Sequence, residues 1–232
     1  MKLGLQTLGW GTNVEALAAS SECAADMGCD GIEIGQPLNA LGKAEYISQT
    51  VQGHGLRIAG LAGGALRSRM DRVGSLRPEY LYVDEWDQTA VLDAMSRGLT
   101  VALHPHYYKR IDTIKSARYY LDKFPKLGLI LDPAHQYLCD DDALQALKTF
   151  QRRVVSIHLK DWQPNHGRSP QLFGRGFTYL GNGILKRHLK ELVAYALRIQ
   201  YSGWLIIDHE SPPRDPCEYA RRSREWLRSM EI

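Results

Sequence analysis

The sequence lacks any apolar run long enough to cross a bilayer. Residues 1–10 are too short and too interrupted by polar side chains for a signal peptide or a membrane span. We therefore expect no membrane partner. The few unpaired cysteines, whose thiols a cytoplasm keeps reduced, predict a cytoplasmic protein.

Cysteine is scarce and unpaired along the chain. Only four cysteines occur in 232 residues, and no two of them form a C-x-x-C pair. A chain of this size does not depend on disulfide bonds for its stability, because it is long enough to bury a large core. We expect reduced thiols at Cys23, Cys29, Cys139 and Cys217.

A strong charge imbalance is also missing. The formal net charge is +3 with neutral histidines, which is too small to indicate a nucleic-acid partner. No low-complexity segment, linker or repeat divides the chain, and its apolar content of 44% is ordinary for a globular protein. These features predict one domain over residues 1–232.

What the sequence does contain is a regular alternation of short apolar runs and helical patterns. Strands connected through helices pair in parallel, and eight such units predict a single (β/α)₈ TIM barrel. A long loop is expected over residues 162–183, an irregular short helix over 65–76, and a helix cap at Asp112. The predicted strands are residues 2–8, 29–34, 56–61, 80–83, 99–103, 127–131, 154–159 and 204–207.

Polar residues gather where these strands end, which is where such barrels carry their chemistry. Because side chains alternate faces along a strand, His158 and Lys160 share one face, and Asp208 and Glu210 share another with Ile206. A buried set of this kind needs a compensating charge, and a divalent cation would supply it. The strand-end residues are Glu33, Glu85, His104, His106, Asp132, His158, Lys160, Asp208, His209 and Glu210.

Each of these residues also has a simpler interpretation. Asp132 is followed by Pro133, and an Asp at a strand end commonly caps a turn or a helix. His158 alone would be read as a core histidine, and Lys160 with Asp161 as a solvated pair. Glu33 would be read as a carboxylate bound to backbone amides. The hypothesis of a metal site depends on the convergence of several such residues.

Six segments resemble the xylose isomerase-like TIM-barrel superfamily, which includes sugar isomerases, epimerases and inosose dehydratases. They are GCDGIE at 28–33, LHPH at 103–106, LDPAH at 131–135, VSIHLKD at 155–161, LGNG at 180–183 and GWLIID at 203–208. The resemblance implies one divalent metal, Mn²⁺, Co²⁺, Fe²⁺ or Zn²⁺, held by His104, Asp132, His158 and Asp208. The family usually has Glu where His104 and Asp208 stand, and Glu210 is a substitute for Asp208.

The resemblance implies proton transfer next to a metal-bound carbonyl of a small sugar, sugar phosphate or polyol. An isomerase or epimerase is the first hypothesis, and an inosose dehydratase-like lyase is the alternative, which the His-Pro-His segment favours. An endonuclease IV-like nuclease and a non-catalytic ligand-binding barrel are further alternatives. The sequence leaves a homo-oligomer open. We assign catalysis to Glu33, His106, Lys160 and Glu210, and substrate binding to His135 and Arg175, although a solvated loop arginine is an equal interpretation of Arg175.

Overall fold

The protein folds as a closed barrel of eight parallel strands. The structure is a computed structural model that describes residues 1–169, 171–209 and 215–232. The barrel strands are β1 (Lys2–Gln6), β2 (Gly31–Ile34), β3 (Arg57–Leu61), β4 (Tyr80–Val83), β5 (Val101–Leu103), β6 (Gly128–Leu131), β7 (Val154–Leu159) and β10 (Trp204–Ile207). Strands β8 (Asp161–Trp162) and β9 (Phe177–Thr178) form a separate antiparallel ribbon. Each barrel strand pairs with its neighbour in the chain, and β1 closes the barrel against β10, which confirms the (β/α)₈ prediction.

Helices follow the strands around the barrel. They are α1 (Val14–Asp26), α2 (Ala44–Gly53), α3 (Leu66–Met70), α4 (Val73–Leu76), α5 (Gln88–Ser96), α6 (Ile114–Lys123), α7 (Pro133–Leu138), α8 (Ala143–Phe150), α9 (Lys186–Arg198) and α10 (Pro216–Arg228). The irregular segment 65–76 resolves into α3 and α4. Among the described residues, no helix is both long and apolar enough to span a membrane.

The predicted cap at Asp112 is wrong by one residue. Thr113 precedes α6, and its Oγ1 accepts a hydrogen bond from the Ser116 backbone N–H at 3.0 Å. The Ser116 hydroxyl in turn accepts from the Thr113 backbone N–H at 3.1 Å. This reciprocal pair satisfies two amides at the start of the helix, which a lone Asp112 one position earlier cannot do.

The barrel interior is apolar below and polar at the mouth. The apolar part contains Ala59, Tyr80, Ala102, Ile130, Trp204 and Ile206. The Tyr80 ring fits because β3 has a glycine opposite it: a Cβ at Gly60 would lie 2.3 Å from Cε2 of Tyr80. The Tyr80 hydroxyl can therefore reach upward to the polar layer.

The long loop after β7 is anchored by Asp161. This side chain is completely buried, so its interpretation as part of a solvated pair with Lys160 is wrong. Its carboxylate accepts backbone N–H groups of Gly183 and Leu185, each at 2.9 Å. The predicted loop 162–183 therefore contains ordered structure, including the β8–β9 ribbon, and returns to the end of β7.

A disulfide joins the first and last helices. Cys23 on α1 and Cys217 on α10 are bonded although they are 194 residues apart in sequence, with their Cα atoms 6.0 Å apart. The expectation of four reduced thiols is therefore wrong for this pair, whereas Cys29 and Cys139 are free. Sequence spacing could not reveal the bond, because only the pairing of β1 with β10 makes α1 and α10 neighbours. The cytoplasmic location stays a prediction.

Candidate metal centre

Five barrel strands bring six polar side chains together at one mouth. They belong to Glu33 in β2, His104 after β5, Asp132 after β6, His158 in β7, Lys160 after β7 and Asp208 after β10. None of these residues is more than 2% exposed. The alternation along the strands predicted this convergence, because each of these positions points into the barrel.

Glu33 uses one carboxylate oxygen for contacts and leaves the other unsatisfied. Its Oε2 accepts a hydrogen bond from the Tyr80 hydroxyl at 2.5 Å and lies 3.1 Å from Nε2 of His158. Its Oε1 is buried and has no hydrogen-bond partner among the described residues. The side chain is thus a buried carboxylate held on one side and open to a ligand on the other.

Asp132 divides its two oxygens between the fold and the site. Its Oδ1 accepts the backbone N–H groups of Ala134 and His135, each at 3.0 Å, and so caps α7. Its Oδ2 faces the cluster, 3.1 Å from the Lys160 ammonium and 3.6 Å from Nε2 of His104. The helix-cap interpretation and the metal-site hypothesis are therefore compatible, because the cap fixes the direction of the second oxygen.

The imidazoles of His104 and His158 are oriented through their Nδ1 atoms. Nδ1 of His104 lies 3.0 Å from the Tyr82 hydroxyl, and Nδ1 of His158 lies 3.2 Å from Oδ2 of Asp208. Nε2 of His104 is buried without a hydrogen-bond partner in the part of the chain that the structure describes. Nε2 of His104 is thereby presented to a ligand in a defined direction, whereas Nε2 of His158 contacts Oε2 of Glu33 at 3.1 Å.

Lys160, which follows β7, links carboxylates from the two strands on either side of it, β6 and β10. Its ammonium lies 2.8 Å from Oδ2 of Asp208 and 3.1 Å from Oδ2 of Asp132. The side chain is fully buried, and its ammonium also lies 4.6 Å from the centre of the Phe177 ring. Two ion pairs and an aromatic face replace the water that a buried ammonium would otherwise lack.

These contacts shift the pKa values of three groups. Burial would lower the pKa of His158, but the Glu33 carboxylate and the hydrogen bond to Asp208 raise it to about 10. Burial lowers the pKa of His104, against the opposing effect of Asp132. For Asp132 burial opposes ionisation, yet Lys160 and the neighbouring imidazoles hold its pKa well below the usual range. Without a metal, Asp132 is therefore anionic and His104 is neutral near pH 7.

Histidine and phenylalanine rings cover the cluster. The rings of His106 and His135 are tilted by 37° to each other with centroids 3.8 Å apart, and Nδ1 of His106 donates to the Tyr107 carbonyl at 2.9 Å. Nε2 of His135 lies 3.5 Å from the Lys160 ammonium. Phe173, from the long loop, packs edge-on against His135 with centroids 6.0 Å apart.

Other predicted residues lie away from the cluster. Arg175 is exposed, and within the described chain no hydrogen bond or ion pair joins its guanidinium to the site. Glu85 is exposed and pairs with Lys109 at 2.6 Å. His209 faces away from the mouth and contacts the Ser223 hydroxyl at 3.1 Å. Glu210 lies outside the described residues.

Tyr80 and Tyr82 are the site residues that sequence reasoning missed. They contact Glu33 and His104, respectively, from β4. The alternation that sorted the other strands also applies to β4, where Tyr80 and Tyr82 share the inward face. The signal was therefore present in the spacing of the two phenols along β4.

The donor set fits a divalent transition metal. One donor atom each from His104, Asp132 and His158 can be chosen so that all three lie within 4.8 Å of one another. The unpartnered Nε2 of His104 and the Oδ2 of Asp132 face the same space. Two imidazoles and a carboxylate are a set that Zn²⁺ and similar ions accept, with an open position for a ligand.

Inosose dehydratases are among the curated proteins with related sequences. One from Salmonella agona is 26% identical over 147 residues, which cover 58% of this chain and 48% of that protein. One from Mesomycoplasma hyopneumoniae (strain J) is 31% identical over 148 residues, which cover 57% of this chain and 48% of that protein. The chain spans about half the length of the curated relatives it matches.

Solved structures share the whole barrel at lower identity. The 3-keto-D-glucoside 4-epimerase YcjR of E. coli superposes with a TM-score of 0.73 at 18% identity, covering 100% of this chain and 99% of that one. The IolI protein with a bound zinc atom superposes with a TM-score of 0.75 at 16% identity, covering 99% and 97%. The likeness shows a common fold.

A family profile extends over most of the site. The family described as xylose isomerase-like TIM barrel matches residues 80–230, which is more than half of the chain and contains His104, Asp132, His158 and Asp208. The profile match agrees with the closed eight-stranded barrel and with the structural neighbours. This chain belongs to the xylose isomerase-like TIM-barrel family.

Proposed function

We propose that this chain is a metal-dependent enzyme that moves a proton next to the carbonyl group of a small sugar, sugar phosphate or polyol. One observation carries the proposal: the metal-donor group of His104, Asp132 and His158 lies beside Glu33, whose Oε1 is buried and unpartnered among the described residues. A Lewis-acid position and a carboxylate base at one mouth are what abstraction of a carbon-bound proton requires.

We assign the metal to His104, Asp132 and His158, with Mn²⁺, Co²⁺, Fe²⁺ or Zn²⁺ as candidates. A bound metal would polarise the substrate carbonyl and acidify the neighbouring C–H bond. Asp208, which the family pattern places among the ligands, holds Nδ1 of His158 and the Lys160 ammonium. Its proposed role is therefore to orient His158.

Glu33 is the base that the geometry supports best. Its Oε2 accepts a hydrogen bond from the Tyr80 hydroxyl, and its Oε1 has no hydrogen-bond partner among the described residues. Nε2 of His158 lies 3.1 Å from Oε2 and would leave this contact to bind the metal. His106 is partly exposed and uses Nδ1 to bind the Tyr107 carbonyl, which suits a residue that passes protons at the mouth. Glu210 remains a predicted catalytic residue outside the described range.

The remaining assignments concern charge and substrate contacts. The Lys160 ammonium would stabilise negative charge that develops on the substrate, because it is buried next to Asp132 in the cluster. His135 would contact the substrate beside the tilted ring of His106. Arg175 would contribute only if the long loop folds over the mouth, because its side chain is exposed.

The fate of the deprotonated substrate separates two candidate functions. Return of the proton would give an isomerase or epimerase. Loss of a neighbouring hydroxyl would give a dehydratase, and the curated inosose dehydratases and the His-Pro-His segment favour this second candidate. In a dehydratase, His106 would protonate the departing hydroxyl, because it is partly exposed whereas the neighbouring imidazole of His135 is buried.

Solvent deuterium distinguishes these outcomes. The metal-loaded protein is incubated in D₂O with a panel of inososes, ketoses and sugar phosphates and followed by NMR and ultraviolet absorbance. Deuterium incorporation without elimination identifies an isomerase or epimerase, whereas a growing absorbance from an unsaturated carbonyl identifies a dehydratase. Removal of the metal should stop either reaction. Neither signal on the whole panel at full metal occupancy would contradict the proposal and favour a non-catalytic binding barrel.

We further propose that residues 1–232 act as one domain whose partner is the small-molecule substrate, without nucleic acid or membrane. One group of three potential metal ligands is present among the described residues, whereas an endonuclease IV-like nuclease would need three zinc ions. Metal analysis tests this choice directly, because one ion per chain is expected. Homo-oligomerisation stays a prediction that light scattering can test.

A further inference from the structure

The Lys160 ammonium contacts an oxygen that the proposed metal also needs. Oδ1 of Asp132 is committed to two backbone amides at the start of α7, so only Oδ2 is available to a cation in the cluster. Oδ2 already has the Lys160 ammonium at 3.1 Å. Asp132 contributes a carboxylate oxygen to the donor group of His104, Asp132 and His158, and Oδ2 is the oxygen that the helix cap does not use.

The environment makes this shared contact energetically significant. Lys160 is completely buried, and Asp132 and Asp208 are each 1% exposed, so water screens their interactions poorly. An ammonium and a divalent ion at one carboxylate oxygen repel each other in such a site. A metal at Asp132 therefore requires the ammonium to withdraw from Oδ2.

Asp208 provides a place for the withdrawn ammonium. The distance from Nζ of Lys160 to Oδ2 of Asp208 is 2.8 Å, which is shorter than the contact to Asp132. A small rotation of the flexible lysine side chain could release Asp132 while keeping the ion pair with Asp208. The buried charge would then keep a partner in both states, as a buried ion pair requires.

We propose that Lys160 is a built-in competitor of the metal. In the metal-free protein the Lys160 ammonium neutralises Asp132 and links it to Asp208. In the loaded protein it pairs with Asp208 and no longer with Asp132. It thereby lowers the affinity of the site and keeps the metal exchangeable. This inference rests on the proposed metal site and adds a residue that weakens metal binding from within the cluster.

A competition titration with a chromophoric chelator measures the effect on Zn²⁺ and Co²⁺ affinity. Lys160→Met removes the charge and keeps an unbranched side chain, so it should bind both ions at least about tenfold more tightly than the unaltered protein. Lys109→Met is the matched control, because Lys109 also lies near two carboxylates, Asp84 and Glu85, but outside the cluster. Its affinity should equal that of the unaltered protein. Circular dichroism checks the fold of each variant.

The outcomes separate this inference from the proposed function. Equal affinities for the unaltered protein and Lys160→Met, or weaker binding by the variant, would overturn the inference and leave the metal site standing. No metal binding by either protein would overturn both.

If Lys160→Met does not fold, a crystal structure of the Zn²⁺-loaded, unaltered protein provides the second test. The distance from Nζ of Lys160 to Oδ2 of Asp132 should exceed about 4 Å, which is the usual limit of an ion pair. The contact to Asp208 should persist. An ammonium still bonded to Asp132 beside the metal would overturn the inference.

Discussion

Nδ1 of His158 lies 3.2 Å from Oδ2 of Asp208, and that oxygen also receives the Lys160 ammonium at 2.8 Å. A carboxylate between two donors is well placed to fix the direction of an imidazole ring. Asp208 therefore supports the proposed metal site from behind His158, and its replacement should have a different effect from the loss of a ligand.

Metal titration distinguishes ligands from the orienting carboxylate. His104→Ala or His158→Ala should abolish stoichiometric binding, because each removes a donor atom. Asp208→Asn should still bind one ion, with an affinity about 10–100-fold lower. His54→Ala is the control, because His54 is exposed at the end of α2 and should leave binding unchanged. If Asp208→Asn loses binding as completely as His104→Ala, then Asp208 is a direct ligand.

Glu33→Gln tests the proposed base. The amide keeps the size of the side chain but cannot accept a carbon-bound proton, so kcat should fall by about 10²–10⁴-fold while metal stoichiometry is retained. Tyr80→Phe removes only the hydrogen bond to Oε2 and should have a smaller effect. Steady-state kinetics on the substrate found in the panel would make the comparison. An unchanged kcat for Glu33→Gln would show that another residue acts as the base.

The stability of the metal-free protein should depend on pH through His158. Its folded-state pKa is raised from 6.5 to about 10, so its stabilisation is complete below about pH 6.5 and is lost as the pH rises through 10. The free energy of unfolding of the unaltered protein, minus that of His158→Gln, should therefore fall between pH 7 and 10. Because a single proton is involved, this difference in free energy can change by at most about 1.4 kcal/mol per pH unit. Urea unfolding at several pH values measures it, and a constant difference would contradict the protonated state.

The disulfide between Cys23 and Cys217 can be tested by counting free thiols. Thiol titration of the denatured protein should find two of the four cysteines free before reduction, since Cys29 and Cys139 are unpaired. Cys217→Ser should lower the free energy of unfolding by about 2–4 kcal/mol, because the bond closes a very long loop. Cys139→Ala serves as the control and should keep the response to reductant. Four free thiols in the absence of reductant would restore the original expectation.

The alternation of apolar runs and helical patterns sufficed to predict the barrel and the end at which polar residues converge. A parallel sheet needs a crossover after each strand, so eight strand–helix units leave few other architectures. Parity along each strand then grouped the polar side chains by face, and their convergence followed on the condition that the faces of Glu33, His158 and Asp208 point into the barrel. These are local properties, and the sequence determined them by itself.

Only the tertiary structure decided how the converging groups share their contacts. Asp132 caps α7 with one oxygen and faces Lys160 with the other, and Tyr82 reaches His104 from a neighbouring strand. The bond between Cys23 and Cys217 likewise depends on barrel closure. Strand period decides which face a side chain takes, but a contact between strands depends on register, ring orientation and the neighbouring charges. Those quantities arise from residues distant in sequence, so no local pattern contains them.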